Sequence, residues 1–499
     1  MKRLAILLIL ALVLISISAV SASENATDLQ TVDSCVDVIS DDVIQETSVE
    51  EVVSNSTISA NPTTGYEQFS TKFTVTLKSN GTYLNSKPVI INVDGNNYSR
   101  TTNDLGQAIL KIKLAKGTYA AKYYFLGDNV TNPSNGSAKL TIKSPTKTTL
   151  TVYDKNINYR QGSKSIFSVR LMTSQGKAVK GQQVIFKYNG ISKTAKTDNN
   201  GIASIFIKLN KGKYKISFAF KSNCPYLSSS GSHKISVKPY MGKGYAYWVW
   251  GDTMKSVNLK ALKSKGTKHI FLNSYAFKMY GTNDVKSWIS SANRYGMQVH
   301  IWIQVFYEGK WVRPVNDDGS FKYSYMKQKI NEAKKCAKIK GVSGIHFDYV
   351  RFGGTAYKYD TSSQAISYFI KKVCLEVRKI KPNAILSAAV MPEPGMMDYY
   401  YGQDIPTISK YLDVICPMAY KGNYGKTTSW IKYVTKAMVA DSNSAQVWTG
   451  IQTYKSDSNP VKLSYSKLLK DAKAAKNGGA KGVILFRWGI SKLLDFNKV

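Results

Sequence analysis

Cysteine and histidine are scarce in this sequence, with five and four copies in 499 residues. Cysteines at 35, 224, 336, 374 and 416 are too few and too scattered for a disulfide framework, so stability has to come from hydrophobic cores. The absence of CxxC and HExxH spacings argues against the common zinc sites, and no cofactor or metal is expected. Acidic residues are also under-represented: 32 Asp and Glu face 69 Lys and Arg, for a formal charge of +37. Such a balance favours contact with anionic surfaces or polymers. Beyond Val20 no apolar run is long enough to span a bilayer, so neither a later span nor a C-terminal anchor is expected.

What is present begins with Met1-Lys2-Arg3, the apolar run Leu4 to Val20, and the small residues Ser21-Ala22-Ser23. These are the three regions of a secretory signal peptide, expected to occupy 1–23 and to direct the protein to the cell surface or the medium. If it is cleaved, no stable membrane span remains; uncleaved, it lies at the short limit for an anchor. Export makes an acidic wall polymer a better partner than nucleic acid. Residues 24–56 carry acidic groups without lasting periodicity and read as a disordered leader. The sequons at Asn25, Asn55, Asn80, Asn97, Asn129 and Asn135 fit an exported, solvated N-terminal half.

A repeat follows. One constant offset lays Val89 on Val184, Gly95 on Gly190, Thr102 on Thr197, Gly106 on Gly201, Gly117 on Gly212, Tyr119 on Tyr214 and Phe125 on Phe220. Each copy alternates apolar and polar residues in short runs, as in Phe73 to Leu77 and Phe167 to Leu171, between Asn/Asp/Gly turn clusters. Period-two alternation with closely spaced turns predicts two all-β immunoglobulin-like sandwiches, at 57–143 and 148–237. The pattern Thr197-Asp-Asn-Asn-Gly-Ile-Ala203, then Leu209-Asn-Lys-Gly-Lys-Tyr214, resembles the tandem Ig-like repeats of surface proteins in methanogenic archaea. That resemblance implies a spacer or adhesive role at a surface and no chemistry.

After Pro239 the texture becomes strands alternating with amphipathic helical stretches. Eight strands are predicted, at 245–250, 269–274, 298–306, 344–352, 384–391, 413–420, 446–454 and 482–488. Eight βα units in roughly 260 residues predict an α/β (β/α)8 TIM barrel over 239–499. A doubly wound sheet is the alternative, but no Gly-rich phosphate loop follows the first strand.

In such a barrel the site lies at the C-terminal strand ends. The richest segment there is Gly344-Ile-His-Phe-Asp-Tyr-Val-Arg-Phe352. If Ile345, Phe347 and Tyr349 face the helices, alternation turns His346, Asp348 and Val350 toward the axis. A carboxylate among aromatics is costly to bury without a binding or catalytic use. This segment resembles the fourth strand of glycosyl-hydrolase-like TIM barrels, and the glycoside hydrolysis that the resemblance implies needs two carboxyl groups; Glu393, just past strand five, is the expected partner, with Asp398 and Asp252 as rivals. Asp348 is assigned the nucleophile or base role and Glu393 that of general acid. Trp250, Trp302, Tyr420 and Trp488 are candidate sugar-stacking surfaces. Arg351 and Arg487 are candidate ligands for an acidic group, and Gln304, His346, Asp398 and Gln452 complete the expected substrate-binding set.

Strand four resembles glycosyl-hydrolase-like TIM barrels reading Gly-x-(His/Gln)-x-Asp-Tyr-(Ile/Val)-Arg-(Tyr/Phe), and Asp413-Val-Ile-Cys-Pro-Met-Ala-Tyr420 resembles their sixth strand. The likeness covers about 245–490. Chitinases are a more distant likeness: Val350 stands where their acid Glu would be, so their substrate-assisted mechanism does not transfer. The expected function is an exported glycoside hydrolase acting on a cell-wall or extracellular polysaccharide, anionic or built of amino sugars such as pseudomurein. The alternatives are a non-catalytic carbohydrate-binding adhesin, or a lyase or transferase on the same barrel.

Overall fold

A computed structural model describes residues 53–499. The expected signal peptide, most of the acidic leader, and Cys35 lie outside them. The four described cysteines are free, with Cys224 exposed and Cys336, Cys374 and Cys416 buried. No described helix is long and apolar enough to cross a membrane.

The first all-β unit folds as two sheets around one core. Ser56–Ser59, Thr82–Tyr83 and Gln107–Ile112 join Thr71–Ser79, while Thr63–Tyr66, Ser134–Lys143, Gly117–Phe125, Pro88–Val93 and Asn96–Thr101 form the other sheet. Alternate residues Phe73, Val75 and Leu77 meet Val89, Ile91 and Val93 inside. The second unit repeats the plan: Thr148–Val152, Ser165–Thr173 and Ile202–Ile207 face Ile191–Lys196, Gln183–Tyr188, Gly212–Phe220 and Ser229–Val237. The repeat extends to single turns. Gly106 and Gly201 both take a positive φ, 65° and 74°. At each, a side chain would meet a carbonyl at 2.4 Å, that of Leu77 or Leu171, so only glycine closes the turn. Thr102 and Thr197 each accept from a backbone N–H at 2.9 Å, that of Lys87 and of Gln182.

The rest is a closed parallel barrel of eight strands: β1 (Gly244–Val249), β2 (His269–Asn273), β3 (Gln298–Gln304), β4 (Val342–Asp348), β5 (Ile385–Val390), β6 (Val414–Pro417), β7 (Gln446–Gln452) and β8 (Gly482–Phe486). All eight overlap the ranges predicted from sequence, and six lie wholly within them; β1 begins one residue earlier and β4 two residues earlier. The predicted strands run further at their C-terminal ends because the apolar pattern continues into the loops there. Helices Ala276–Arg294, Tyr323–Lys338, Ser362–Ile380, Thr428–Asp441 and Tyr465–Asn477 wrap the outside. Strand alternation separates two cores: Tyr245, Tyr247, Ile345 and Phe347 pack under the helices, whereas Trp248, Phe271, Trp302 and Trp448 fill the barrel. Gly450 makes room for this filling, since a side chain there would lie 2.6 Å from the Trp248 ring.

The second all-β unit docks on the N-terminal end of the barrel through one buried carboxylate. Asp413, 1% exposed, precedes β6. Its Oδ1 accepts from Arg160 Nε at 2.6 Å and Asn158 Nδ2 at 2.7 Å. Its Oδ2 accepts from an Arg378 guanidinium nitrogen and from the Leu386 N–H, both at 2.9 Å. Arg160 and Asn158 come from the β-unit, Arg378 from Ser362–Ile380 and Leu386 from β5. Burial pushes the Asp413 carboxyl up, but the charges of Arg160, Arg378 and Lys238 outweigh it and hold the group well below the usual carboxylate range. The stabilisation is therefore fully present above the ordinary carboxylate pKa and is lost as pH falls below it. Lys238 is the odd member: its ammonium is buried without a partner, and burial together with Arg378 pushes it down to about 7.

Arg160→Ala, which strands Asp413 without its nearest cation, is expected to cost about 3–5 kcal/mol in urea unfolding of the full chain at neutral pH. The loss should shrink in acid as Asp413 becomes protonated. Lys238→Met is expected to stabilise by roughly 1 kcal/mol below pH ~7, and destabilisation there would contradict this account.

Candidate active site

A cavity of about 260 Å³ opens at the C-terminal ends of the barrel strands. Trp250 after β1, Trp302 on β3, Asp348 on β4, Tyr420 and Tyr424 after β6, and Phe486 on β8 enclose it. The Trp250 and Trp302 rings lie 4.6 Å apart, and Tyr420 stacks on Phe486 at 5.1 Å. The walls are thus largely aromatic, with Asp348, Arg351, Asn423 and Asp457 supplying polarity.

Asp348 is 9% exposed. Its Oδ2 accepts from Trp302 Nε1 at 3.0 Å and its Oδ1 from the Tyr349 N–H at 2.7 Å. Burial raises its pKa, opposed by the Tyr349 N–H, Arg351 and Trp302. A carboxyl with this balance is suited to holding a proton at a pH where an exposed one has lost it.

The chain turns at the next residue. Tyr349 takes a φ of 52°, a region that bulky residues rarely occupy. The expected alternation therefore ends at Asp348: Tyr349 faces the cavity, stacked on Tyr307 at 4.7 Å, and Val350 packs into the helix-side core. The expectation that Val350 points to the axis and Tyr349 to the helices is corrected. Arg351 also lines the cavity, its guanidinium 4.5 Å from the Trp311 ring and 5.5 Å from Tyr401. Its Nε is buried without a partner.

Of the sequence-predicted residues, the cavity gathers Asp348, Trp250, Trp302, Arg351 and Tyr420. His346 lies beneath it, wholly buried: Nε2 accepts from Trp248 Nε1 at 3.0 Å and Nδ1 meets Ser387 Oγ at 2.9 Å. Burial holds this imidazole down to about 3, so it is a neutral core group rather than a substrate ligand. Glu393 does not line the cavity; it is half-buried, and its carboxylate raises the pKa of the neighbouring Tyr401 and Tyr424 hydroxyls beyond what burial does, the second of which lines the cavity. Asp398 is exposed and accepts from the Tyr399 N–H at the start of its own short helix. Gln452 stands behind Asn423, donating to it at 2.8 Å. Arg487 covers Trp250 at 5.8 Å, and Trp488 packs on Tyr247 and donates to Ser256. Gln304 ends β3 opposite Asp348 in register, outside the cavity lining.

Sequence reasoning missed Tyr349, Asn423, Tyr424 and Asp457. Asp457 accepts from Tyr454 Oη at 2.6 Å and Asn423 Nδ2 at 2.7 Å. It sits in the turn between Tyr454–Ser456 and Asn459–Lys462, directly after β7. The run Asp457-Ser-Asn-Pro460 is a turn signal at a catalytic-face loop and was the available clue. Among the described residues no cluster of three His, Cys, Asp or Glu could hold a metal ion.

Residues 300–482 match a family model described as "Putative glycosyl hydrolase domain". No curated protein matches the chain. Among solved structures, a class V chitinase from Pseudomonas fluorescens Pf-5 is similar at 14% identity and TM-score 0.41, over 52% of this chain and 98% of that one. The Bacillus cereus spore cortex-lytic enzyme SleL is similar at 11% identity and TM-score 0.40, over 53% and 76%. The fibronectin(III)-like modules of Clostridium thermocellum CbhA are similar at 16% identity and TM-score 0.24, over 37% and 95%.

The left-handed turn at Tyr349 gives a direct check of local strain. Tyr349→Gly is expected to be more stable than Tyr349→Ala by about 1 kcal/mol in thermal unfolding, the reverse of the usual glycine penalty. Equal stability of the two would place no strain at this residue.

Proposed function

We propose that the chain is an exported glycoside hydrolase whose aromatic cavity cleaves a cell-wall or extracellular polysaccharide, anionic or built of amino sugars. The observation that carries the reading is Asp348, a carboxyl buried at the catalytic mouth of a glycosyl-hydrolase-like barrel and raised by that burial. The basic charge and the unpartnered Arg351 Nε favour a ligand carrying acidic or acceptor groups. The two N-terminal β-units, whose paired sheets and repeated turns fit Ig-like modules, hold the barrel at the surface.

The raised carboxyl suits the acid role better than the base role first given to Asp348. Asp348 protonates the glycosidic oxygen as its bond to the anomeric carbon breaks. A second carboxylate then either attacks that carbon or takes a proton from the water that does. Asp457, which shares the cavity, is the better partner, and Glu393 acts on the rim through Tyr424. That Glu393 does not line the cavity is also what a non-catalytic carbohydrate binder would display.

The test is release of reducing ends by the full chain from isolated cell walls and amino-sugar polymers. Asp348→Asn and Asp457→Asn are each expected to lower the rate about 10²–10⁴-fold, with Glu393→Gln milder. Because the acid form of Asp348 is the active one, activity should fall as pH rises through its raised pKa. Trp302→Phe, which removes a donor to the carboxylate, should carry that alkaline limb to higher pH. Binding by wild type without release from any polymer would establish the adhesin instead.

A further inference from the structure

Beside the cavity, the loops after β4 and β5 present an unusual surface. Tyr357 is 49% exposed, Tyr399 50% and Tyr400 37%, although these are large rings in contact with one another. Tyr357 and Tyr399 stack at 5.2 Å with planes 12° apart, and Tyr400 stands nearly perpendicular to both. Tyr357 lies in the short turn Ala356–Lys358 and Tyr399 and Tyr400 in the helix Met397–Tyr401.

The cluster is continuous with the cavity. Tyr400 is 6.1 Å from Tyr401, and Tyr401 is 5.5 Å from the Arg351 guanidinium, which lines the cavity. Tyr401 is tied in at its other side: its backbone carbonyl accepts from the Phe352 N–H at 3.0 Å, and burial with the neighbouring Glu393 carboxylate pushes its hydroxyl up to about 12. Rigid rings with hydroxyl tips offer broad contact area at small entropic cost. Such a ledge is small for a stable protein partner, whereas its continuity with the cavity matches a chain that enters the cavity at one end.

We propose that Tyr357, Tyr399 and Tyr400 form a glycan-binding ledge that holds a polysaccharide chain by stacking on its sugar rings and feeds it toward Asp348. This rests on the glycoside hydrolase reading and deepens it: the substrate is a polymer gripped over several sugars, not a small glycoside.

The experiment measures sedimentation of the full chain, in the Asp348→Asn form, with chitin, peptidoglycan sacculi and isolated archaeal cell walls. The double substitution Tyr357→Ala with Tyr399→Ala should weaken binding about tenfold to whichever polymer is bound. Tyr433→Ala, at a ring 60% exposed on the helix Thr428–Asp441, should leave it unchanged. Equal binding with and without the two rings overturns the ledge, as does failure of the Asp348→Asn chain to bind any of the polymers. Tyrosine-dependent binding by a chain whose wild type never releases reducing ends supports the ledge and overturns the catalytic reading alone.

Discussion

Asp413 is the point at which three parts of the molecule are tied. One carboxylate accepts hydrogen bonds from the second β-unit, from an outer helix and from the backbone of β5. A buried charge of this kind is tolerated only while its partners stay in place, so the β-unit serves as the floor of the barrel rather than as a detachable spacer. That floor sets the strand β5–β6 edge, whose opposite ends supply Ala389, Met391, Met418 and Tyr420 to the cavity. The segment that resembles a family's sixth strand thus has a structural aspartate at one end and a cavity tyrosine at the other.

Inside the barrel the chemistry is graded from bottom to top. His269, His300 and His346 are buried among Phe271, Trp248 and Trp448, where burial keeps His269 and His346 neutral. Only at the level of Asp348 does a charge-bearing group meet a cavity. The turn at Tyr349 makes this possible, because it stops the alternation one residue after the carboxyl and swings an aromatic wall where Val350 would otherwise point. Strain concentrated at such a residue is the usual cost of a functional loop.

The fold was legible because its signals are local and repeated. The succession of apolar strands and amphipathic helical stretches located all eight barrel strands, and the Gly106/Gly201 correspondence located a turn used twice. Asp348 was legible for the same reason, as a carboxylate in an apolar strand. What sequence could not supply was anything set by a reversal of backbone handedness or by loops meeting in space. Tyr349 was assigned to the wrong face because period-two reasoning does not foresee a positive φ at a tyrosine. Asp457 was missed because it is separated from Asp348 by three strands, and Glu393 was favoured because adjacency around the rim says nothing about which way a loop between two prolines turns.

The account turns on a sugar ring being held against Asp348 by the Trp250–Trp302 wall. The most direct measurement is a crystal structure of the full-length Asp348→Asn chain with a bound wall-polymer fragment. The account predicts a ring stacked within the cavity, its glycosidic oxygen in hydrogen-bond reach of residue 348 and a carboxyl oxygen of Asp457 on the other side. A fragment bound only elsewhere, with the cavity left to water, would contradict it.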